Sequence, residues 1–218
     1  MTTALLVSGS PAPADPAHLK DLAQQVDFIL AVDSGADALL AAGLTPDLLL
    51  GDFDSIDPTT LERFQNGGVE LQSYDPHKDA TDIELALTAA LELGYTSLIA
   101  TRVLGGRIDH TLAALGCLAR VAEQGAAVII RESAETCVFL SASSLHTSLR
   151  IEAATEPRPA FVSLIPWAGE ATVSITGVKW ELDHATLTPA SSLGVSNVPT
   201  GPHVDIEVHA GTVIVVLE

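Results

Sequence analysis

Positive charge is scarce in this chain: 10 Lys and Arg stand against 28 Asp and Glu in 218 residues, a formal net charge of −18 at pH 7. That balance repels nucleic-acid backbones and anionic membrane surfaces, so neither is expected as a partner. A polyanionic small ligand would need a metal cation or a focused cluster of Arg and Lys. Cysteine is equally sparse. Cys117 lies in an apolar helical pattern and Cys137 in an apolar strand-like run, without metal-ligand spacing or a disulfide framework, so both read as buried core thiols. No apolar run approaches the roughly 20 residues of a membrane-spanning helix, and MTTALLVSGSPAP lacks the basic segment and longer apolar core of a secretory signal, which points to the cytoplasm. Neither GxxxxGK[ST] nor GxGxxG occurs, so a phosphate site would have to be built without the P-loop or dinucleotide fingerprints.

What is present is a chain with 47% hydrophobic residues and a mean hydropathy of +0.35, ample for a buried core. Up to about Ser133 short apolar runs alternate with helical patterns: TALLVSG, AHLKDLAQQV, FILAVDSG, ADALLAAG, DLLLGDFDS, VELQSY, a helix over about 82–93 stopped by Gly94, SLIATRVLG, a helix over about 109–124 stopped by Gly125, and AAVIIRE. Apolar runs separated by helices predict a parallel sheet covered on both faces. Beyond Ser133 helical periodicity disappears, and TCVFLS, LRIEAA, FVSLIPW, ATVSITGV and VDIEVHAGTVIVVL read as strands of a small antiparallel sandwich or barrel. The expectation is two closely packed domains, 1–133 and 134–218.

Four segments of the first part carry chemistry. In GDFDS, Asp52 and Asp54 stand at i and i+2 behind an apolar run; on a strand they would point to one side, where two carboxylates hold a hard cation. Local turn chemistry is the alternative, as in DSIDP. In HKDATDIELAL, Thr81 and Glu84 have the spacing of a capping box, which puts Asp79 and Asp82 at a helix start. Lys78 fits poorly there unless something negative sits beside it. In RVLGGRIDHTLAAL, Gly105 and Gly106 let backbone N–H groups approach a phosphate, Arg107 offers a planar donor fork, and Asp109 caps the helix or contacts a metal. An ordinary tight turn with an N-cap explains the same segment, and His110 reads as a packed or capping imidazole. DSGAD, from Asp33 to Asp37, is a fourth strand-to-helix turn, open to either reading. Convergence changes the balance: four sites at predicted strand ends of one parallel sheet, where open α/β sheets bind ligands, carry acids, glycines and an Arg, which fits Mg-nucleotide binding.

The order DSGAD, GDFDS, KDATD, GGRIDHTLA, GVKWEL and GVSN closely resembles the thiamine pyrophosphokinases over nearly the whole chain. The resemblance implies an α/β nucleotide domain followed by an antiparallel β-sandwich, a homodimer, magnesium, and transfer of a diphosphate group from ATP to the hydroxyl of thiamine with release of AMP. It implies Asp52, Asp54, Asp82 and Asp109 as metal ligands that form the catalytic set with Arg107. Ser34, Gly35, Lys78, Asp79, Thr81, Gly106 and Arg107 fall on the ATP side, and Trp180, Ser196 and Asn197 on the thiamine side. Trp180, in a chain with 4% aromatics, is otherwise a core or interface residue on a β-run. Two positions depart from the family pattern: Ser34, where another glycine is common, and Val198, where an acid often follows the Ser-Asn pair. Two other functions use the same residues: a diphosphokinase for another alcohol such as a hydroxymethylpterin, and a non-catalytic thiamine or nucleotide sensor.

Overall fold

The computed structural model describes residues 2–75, 79–153 and 158–218. Its first part runs β1 (Thr3–Val7), α1 (Pro16–Ala23), β2 (Phe28–Val32), α2 (Gly35–Ala41), β3 (Leu48–Gly51), α3 (Pro58–Asn66), β4 (Glu70–Ser73), α4 (Asp82–Glu92), β5 (Ser97–Thr101), α5 (Ile108–Glu123) and β6 (Ala127–Arg131). Then come β7 (Thr136–Ser141), β8 (Ser148–Glu152), β9 (Val162–Thr176), β10 (Leu182–Leu187) and β11 (His203–Leu217). Contacts divide the chain into two compact units: residues Met1–Cys117 with Ile130–Ser133, and Leu118–Ile129 with Ala134–Glu218. The division falls within α5 and β6. Cys137 is buried, whereas Cys117 is only half-buried, against the expectation of a core thiol.

In the first unit β5, β1, β2, β3 and β4 lie side by side in that order, each neighbouring pair parallel. Apolar residues on successive positions bury the inner strands on both faces, as in Ala4 to Val7 and Leu48 to Leu50, whereas the edge strand β4 is largely exposed. Leu5, Val7, Ala31 and Leu49 meet Leu19, Leu22, Leu39 and Phe64 of the covering helices in one core. Helix starts are set by Asp-Pro pairs. Asp15 accepts from Ala17 N at 3.0 Å and His18 N at 3.2 Å ahead of Pro16, and Asp57 accepts from Thr59 N at 2.8 Å ahead of Pro58. DSIDP therefore opens helix α3, which its turn-like composition concealed. The sheet order places β1 between β2 and β5, so the order of strand addition reverses about β1, the point where open α/β sheets leave a crevice at the strands' C-terminal ends.

The second unit is built on two 15-residue strands, β9 and β11, paired antiparallel. FVSLIPW and ATVSITGV, read as two strands, are the single strand β9. The first half of β11 pairs with β8 and its second half with β7, while the second half of β9 pairs with β10. Register shifts between Val208 and Thr212 mark the change of partners. At the bend Gly211 holds φ +75°, and a Cβ there would lie 2.4 Å from the Glu170 carbonyl oxygen, so only glycine fits. Burial alternates along β9, and Val162, Leu164, Val173 and Ile175 share a sandwich-like core with Val204, Ile206, Val213 and Val215 of β11. No described helix is long and apolar enough to cross a membrane.

Candidate active site

The C-terminal ends of β1, β2, β3 and β5, with the N-terminus of α4, surround a pocket of about 570 Å³ within the first unit. Asp33, Asp52, Asp54 and Asp82 line it together with Arg102 and Arg107. Asp33 directly follows β2 with φ +49°. Its Oδ2 accepts from the Ser55 hydroxyl, and its Oδ1 is buried with no hydrogen-bond partner. Burial raises the Asp33 pKa, and the charges of Asp82, Asp52 and Asp54 raise it further against the lowering effect of the Ser55 bond.

Asp52 and Asp54 converge with Asp33: one carboxylate oxygen from each lies within 4.8 Å of the others. Strand alternation is not the cause, contrary to the sequence reading. β3 ends at Gly51, and the chain turns through Phe53 at φ +63°, with Asp54 N donating to Asp52 Oδ1 at 3.2 Å. Three carboxylates at this distance repel one another unless a proton or cation sits among them. The all-oxygen donor set, the orphaned Asp33 Oδ1 and the buried, unpartnered Thr81 Oγ1 in the pocket wall suit a hard divalent cation.

Thr81 occupies the N-cap position of α4, yet its hydroxyl makes no capping bond, so the expected capping box does not form on the threonine side. Asp82 lies in the first turn of α4 and lines the pocket; Asp79 is exposed and outside the lining. Lys78 lies outside the described residues. Arg107 clasps Asp109 through Nε–Oδ1 at 3.1 Å and Nη2–Oδ2 at 2.6 Å, both side chains exposed. The hydrogen bonds from Arg107 hold the Asp109 carboxyl down at about 2, against 3.8 ordinarily, with His110 N assisting. Asp109 is paired with Arg107 and is not one of the three converging acids. It sits inside the first turn of α5 rather than at its cap, and His110 is exposed and lines the pocket instead of packing.

Ser34 and Gly105 line the pocket, whereas Gly35 and Gly106 are outside its lining. Gly35 is buried, and a Cβ there would lie 1.9 Å from the Val7 carbonyl oxygen, so its absence lets α2 start against β1. Gly106, at φ +81°, packs on the Pro11 ring, 2.7 Å from where its Cβ would be. The loop from Ser8 to Pro11 after β1 and Arg102 after β5 escaped the sequence reading, and Asp33 entered it only as part of the DSGAD turn, with no role of its own. Their common signal is position, since each directly follows an apolar parallel strand, but single polar residues there form no motif.

In the second unit Trp180 stands in the loop between β9 and β10, 55% exposed, neither on a strand nor in the core. Asn197 is 4% exposed and ties that loop down: its Oδ1 accepts from Trp180 N at 3.1 Å and Val198 N at 3.0 Å, and its Nδ2 donates to Trp180 O at 2.7 Å. Its backbone pairs with Val162, and Lys179 N donates to Val198 O at 2.9 Å, so GVKWEL and GVSN meet in space. Ser196 holds φ +56°, with its N–H donated to Ser163 Oγ at 2.9 Å. Lys179 Nζ already sits 4.5 Å from the Trp180 ring centroid, so the indole face attracts a cation.

The thiamin pyrophosphokinase catalytic-domain family matches residues 19–130, and the thiamin pyrophosphokinase vitamin B1 binding domain matches residues 148–213. The thiamine pyrophosphokinase of Bacillus subtilis (strain 168) is 28% identical over 198 residues, covering 90% of this chain and 89% of its own. Thiamine pyrophosphokinase 1 of Oryza sativa subsp. japonica is 26% identical over 160 residues, 70% of this chain and 59% of that relative. In fold, the crystal structure of thiamine pyrophosphokinase from Bacillus subtilis superposes with a TM-score of 0.83 at 24% identity, over 100% of this chain and 99% of that one. The Candida albicans thiamin pyrophosphokinase does so at 0.82 and 15% identity, over 99% and 89%. Both domain matches follow in order along one polypeptide, the first of them spanning the acidic ends of β2 and β3, and the chain belongs to the thiamin pyrophosphokinase family.

Proposed function

We propose that this chain transfers the diphosphoryl group of ATP to the hydroxyl of thiamine, giving thiamine diphosphate and AMP. The observation that carries the reading is the convergence of Asp33, Asp52 and Asp54 in a pocket that also holds Arg107, in a chain whose second unit matches a vitamin B1 binding domain. That second match favours thiamine over a hydroxymethylpterin as acceptor, and the catalytic-domain match favours an enzyme over a sensor. The thiamine hydroxyl oxygen bonds to the β-phosphorus as the bond to the α-phosphate oxygen breaks, so AMP leaves. Such transfer asks the protein chiefly for positioning and charge neutralisation.

Asp33, Asp52 and Asp54 would hold magnesium, with Asp82 beside them, and the bound ion would neutralise phosphate charge as a Lewis acid. Arg107 is the mobile donor of the site: its pair with Asp109 is exposed and therefore weakly held, so the guanidinium can exchange a carboxylate for phosphate oxygens of the same planar geometry. Gly105 lines the same pocket. Trp180 takes the cationic ring of thiamine on its face, held in place by Asn197. A homodimer and a cytoplasmic location belong to the same reading, supported by the family resemblance.

Purified protein is mixed with Mg-ATP and thiamine, and nucleotides and thiamine esters are separated. Equal amounts of thiamine diphosphate and AMP are expected. ADP with thiamine monophosphate, or AMP formed with a hydroxymethylpterin and not with thiamine, would overturn the proposal. Sedimentation of the same sample tests the dimer.

A further inference from the structure

Glu132 directly follows β6 and does not line the pocket, yet its carboxylate organises the turn that does. Oε2 accepts from Arg102 N at 2.9 Å and from Thr101 Oγ1 at 3.4 Å; Oε1 accepts from Val103 N at 2.8 Å and Leu104 N at 3.1 Å. Three consecutive backbone N–H groups reach one carboxylate because Arg102 adopts φ +56°, turning the chain into an anion-binding concavity that the protein fills with its own side chain. Bonds from N–H to a charged oxygen are about twice as strong as neutral ones, which pins a conformation a non-glycine residue otherwise avoids.

The pinned turn is fastened to the loop after β1. Arg102 Nη1 donates to Ala12 O at 2.9 Å and Nη2 to Ser10 O, Ser10 N donates to Arg102 O at 3.1 Å, and the Ser10 hydroxyl donates to Leu104 O at 2.7 Å. Gly105 and Gly106 then pack against Ser10 and Pro11, and the next residue is Arg107. The connection runs unbroken from a carboxylate behind the pocket to the guanidinium in it.

We infer that Glu132 is a positioning residue for diphosphoryl transfer, acting through the β5–α5 turn to set Gly105 and Arg107 toward the nucleotide. The inference rests on the function proposed above. Glu132→Gln keeps the side chain's shape but turns one acceptor into a donor facing N–H donors, and Glu132→Asp keeps the charge on a shorter arm.

Both variants and the wild type are compared by kcat, by KM for ATP and for thiamine, by melting temperature, and by calorimetry with magnesium and α,β-methylene-ATP, whose bridging carbon blocks the cleavage. The expected result for Glu132→Gln is a kcat lower by about 10- to 100-fold, the scale of a small misplacement of reacting groups. Analogue binding weakens, the KM for thiamine is unchanged, and Glu132→Asp recovers part of kcat. A folded Glu132→Gln with wild-type kcat and analogue affinity overturns the inference. So does a parallel rise in the KM for thiamine and the KM for ATP with a lower melting temperature, which marks general loosening. If Glu132→Gln does not fold, the same split is read on Glu132→Asp; if neither folds, Glu132 holds the fold and the inference fails. Absence of thiamine diphosphate from the wild type would refute the proposed function instead, and the calorimetric comparison would still decide the role of Glu132.

Discussion

Replacing Asp33 by asparagine removes one of three negative charges held within 4.8 Å of one another, and it should stabilise the metal-free protein while weakening its response to magnesium. At that separation two unit charges repel by about 0.9 kcal/mol with the dielectric constant of water and by about 3.5 kcal/mol at an effective value of 20. Asp54 is exposed and Asp52 half-buried, so the watery end applies, and the two pairs lost contribute roughly 2 kcal/mol. A neutral amide accepts more weakly from the Ser55 hydroxyl, which takes back roughly 1 kcal/mol. The net gain of about 1 kcal/mol raises the melting temperature by roughly 2–4 °C for a chain of this size. Because the folded Asp33 carboxyl titrates above its ordinary 3.8, its contribution to stability is fully present below that value and is lost as pH rises through the raised pKa. The advantage of the variant should therefore appear at neutral pH and vanish in acid. Scanning calorimetry in EDTA and in excess magnesium makes the test: at ten times its Kd a cation stabilises the wild type by about 1.4 kcal/mol, and the variant should gain less. A variant that melts below the wild type in EDTA at neutral pH, or that gains equally from magnesium, would refute the electrostatic reasoning.

Gly35→Ala puts a methyl 1.9 Å from the Val7 carbonyl oxygen, so α2 must back away from β1 at an overpacking cost of about 1–3 kcal/mol. Melting temperature should fall and the KM for ATP rise, since Asp33 and Ser34 lead into that helix; an unchanged melt would show that the packing yields easily. Asn197→Ala removes three hydrogen bonds at about 1 kcal/mol each, so urea unfolding should show a loss of roughly 3 kcal/mol. Calorimetry should show weaker thiamine binding with nucleotide binding intact; a fall in nucleotide affinity of the same size would count against a local role. Arg107→Ala should cut turnover strongly and let the Asp109 carboxyl rise from about 2 toward 3.8, followed by carboxyl carbon NMR. In the wild type the stability due to that clasp is present above 3.8 and lost as pH falls through about 2; an Asp109 still titrating near 2 in the variant would exclude Arg107 as the cause.

Repetition made the first unit's sheet legible. Apolar runs such as ALLV, ILAV and LLL, each followed by a helical pattern, admit few arrangements other than parallel strands under helices. Legibility failed where composition and position disagreed. Asp57 and Pro58 have the composition of a turn and the geometry of a helix start. The AGE stretch of β9 resembles a loop between two strands, yet the strand continues through it because β11 shifts register beside it. In the site, GDFDS announced two acids but for a strand-geometry reason that does not hold; the turn at Phe53 brings them together. Trp180 and Asn197 show the same limit in the second unit, since only the pairing of Val162 with Asn197 reveals one as the exposed platform and the other as its buried tether.

By itself the sequence determined the kinds of chemistry present: excess carboxylate, a glycine-flanked arginine, an isolated tryptophan, and a run of strand ends on which to mount them. Residue type and spacing are local properties, and they suffice to say which groups exist and which element carries each. Tertiary structure alone decided which groups meet. Asp33 joined Asp52 and Asp54 because β2 and β3 are neighbours in the sheet, Asp109 left the acidic group because Arg107 lies two residues away and reaches it first, and Glu132 found three N–H groups some 30 positions earlier. Sheet order and backbone turns set those distances, and electrostatic interaction follows distance through space rather than along the chain.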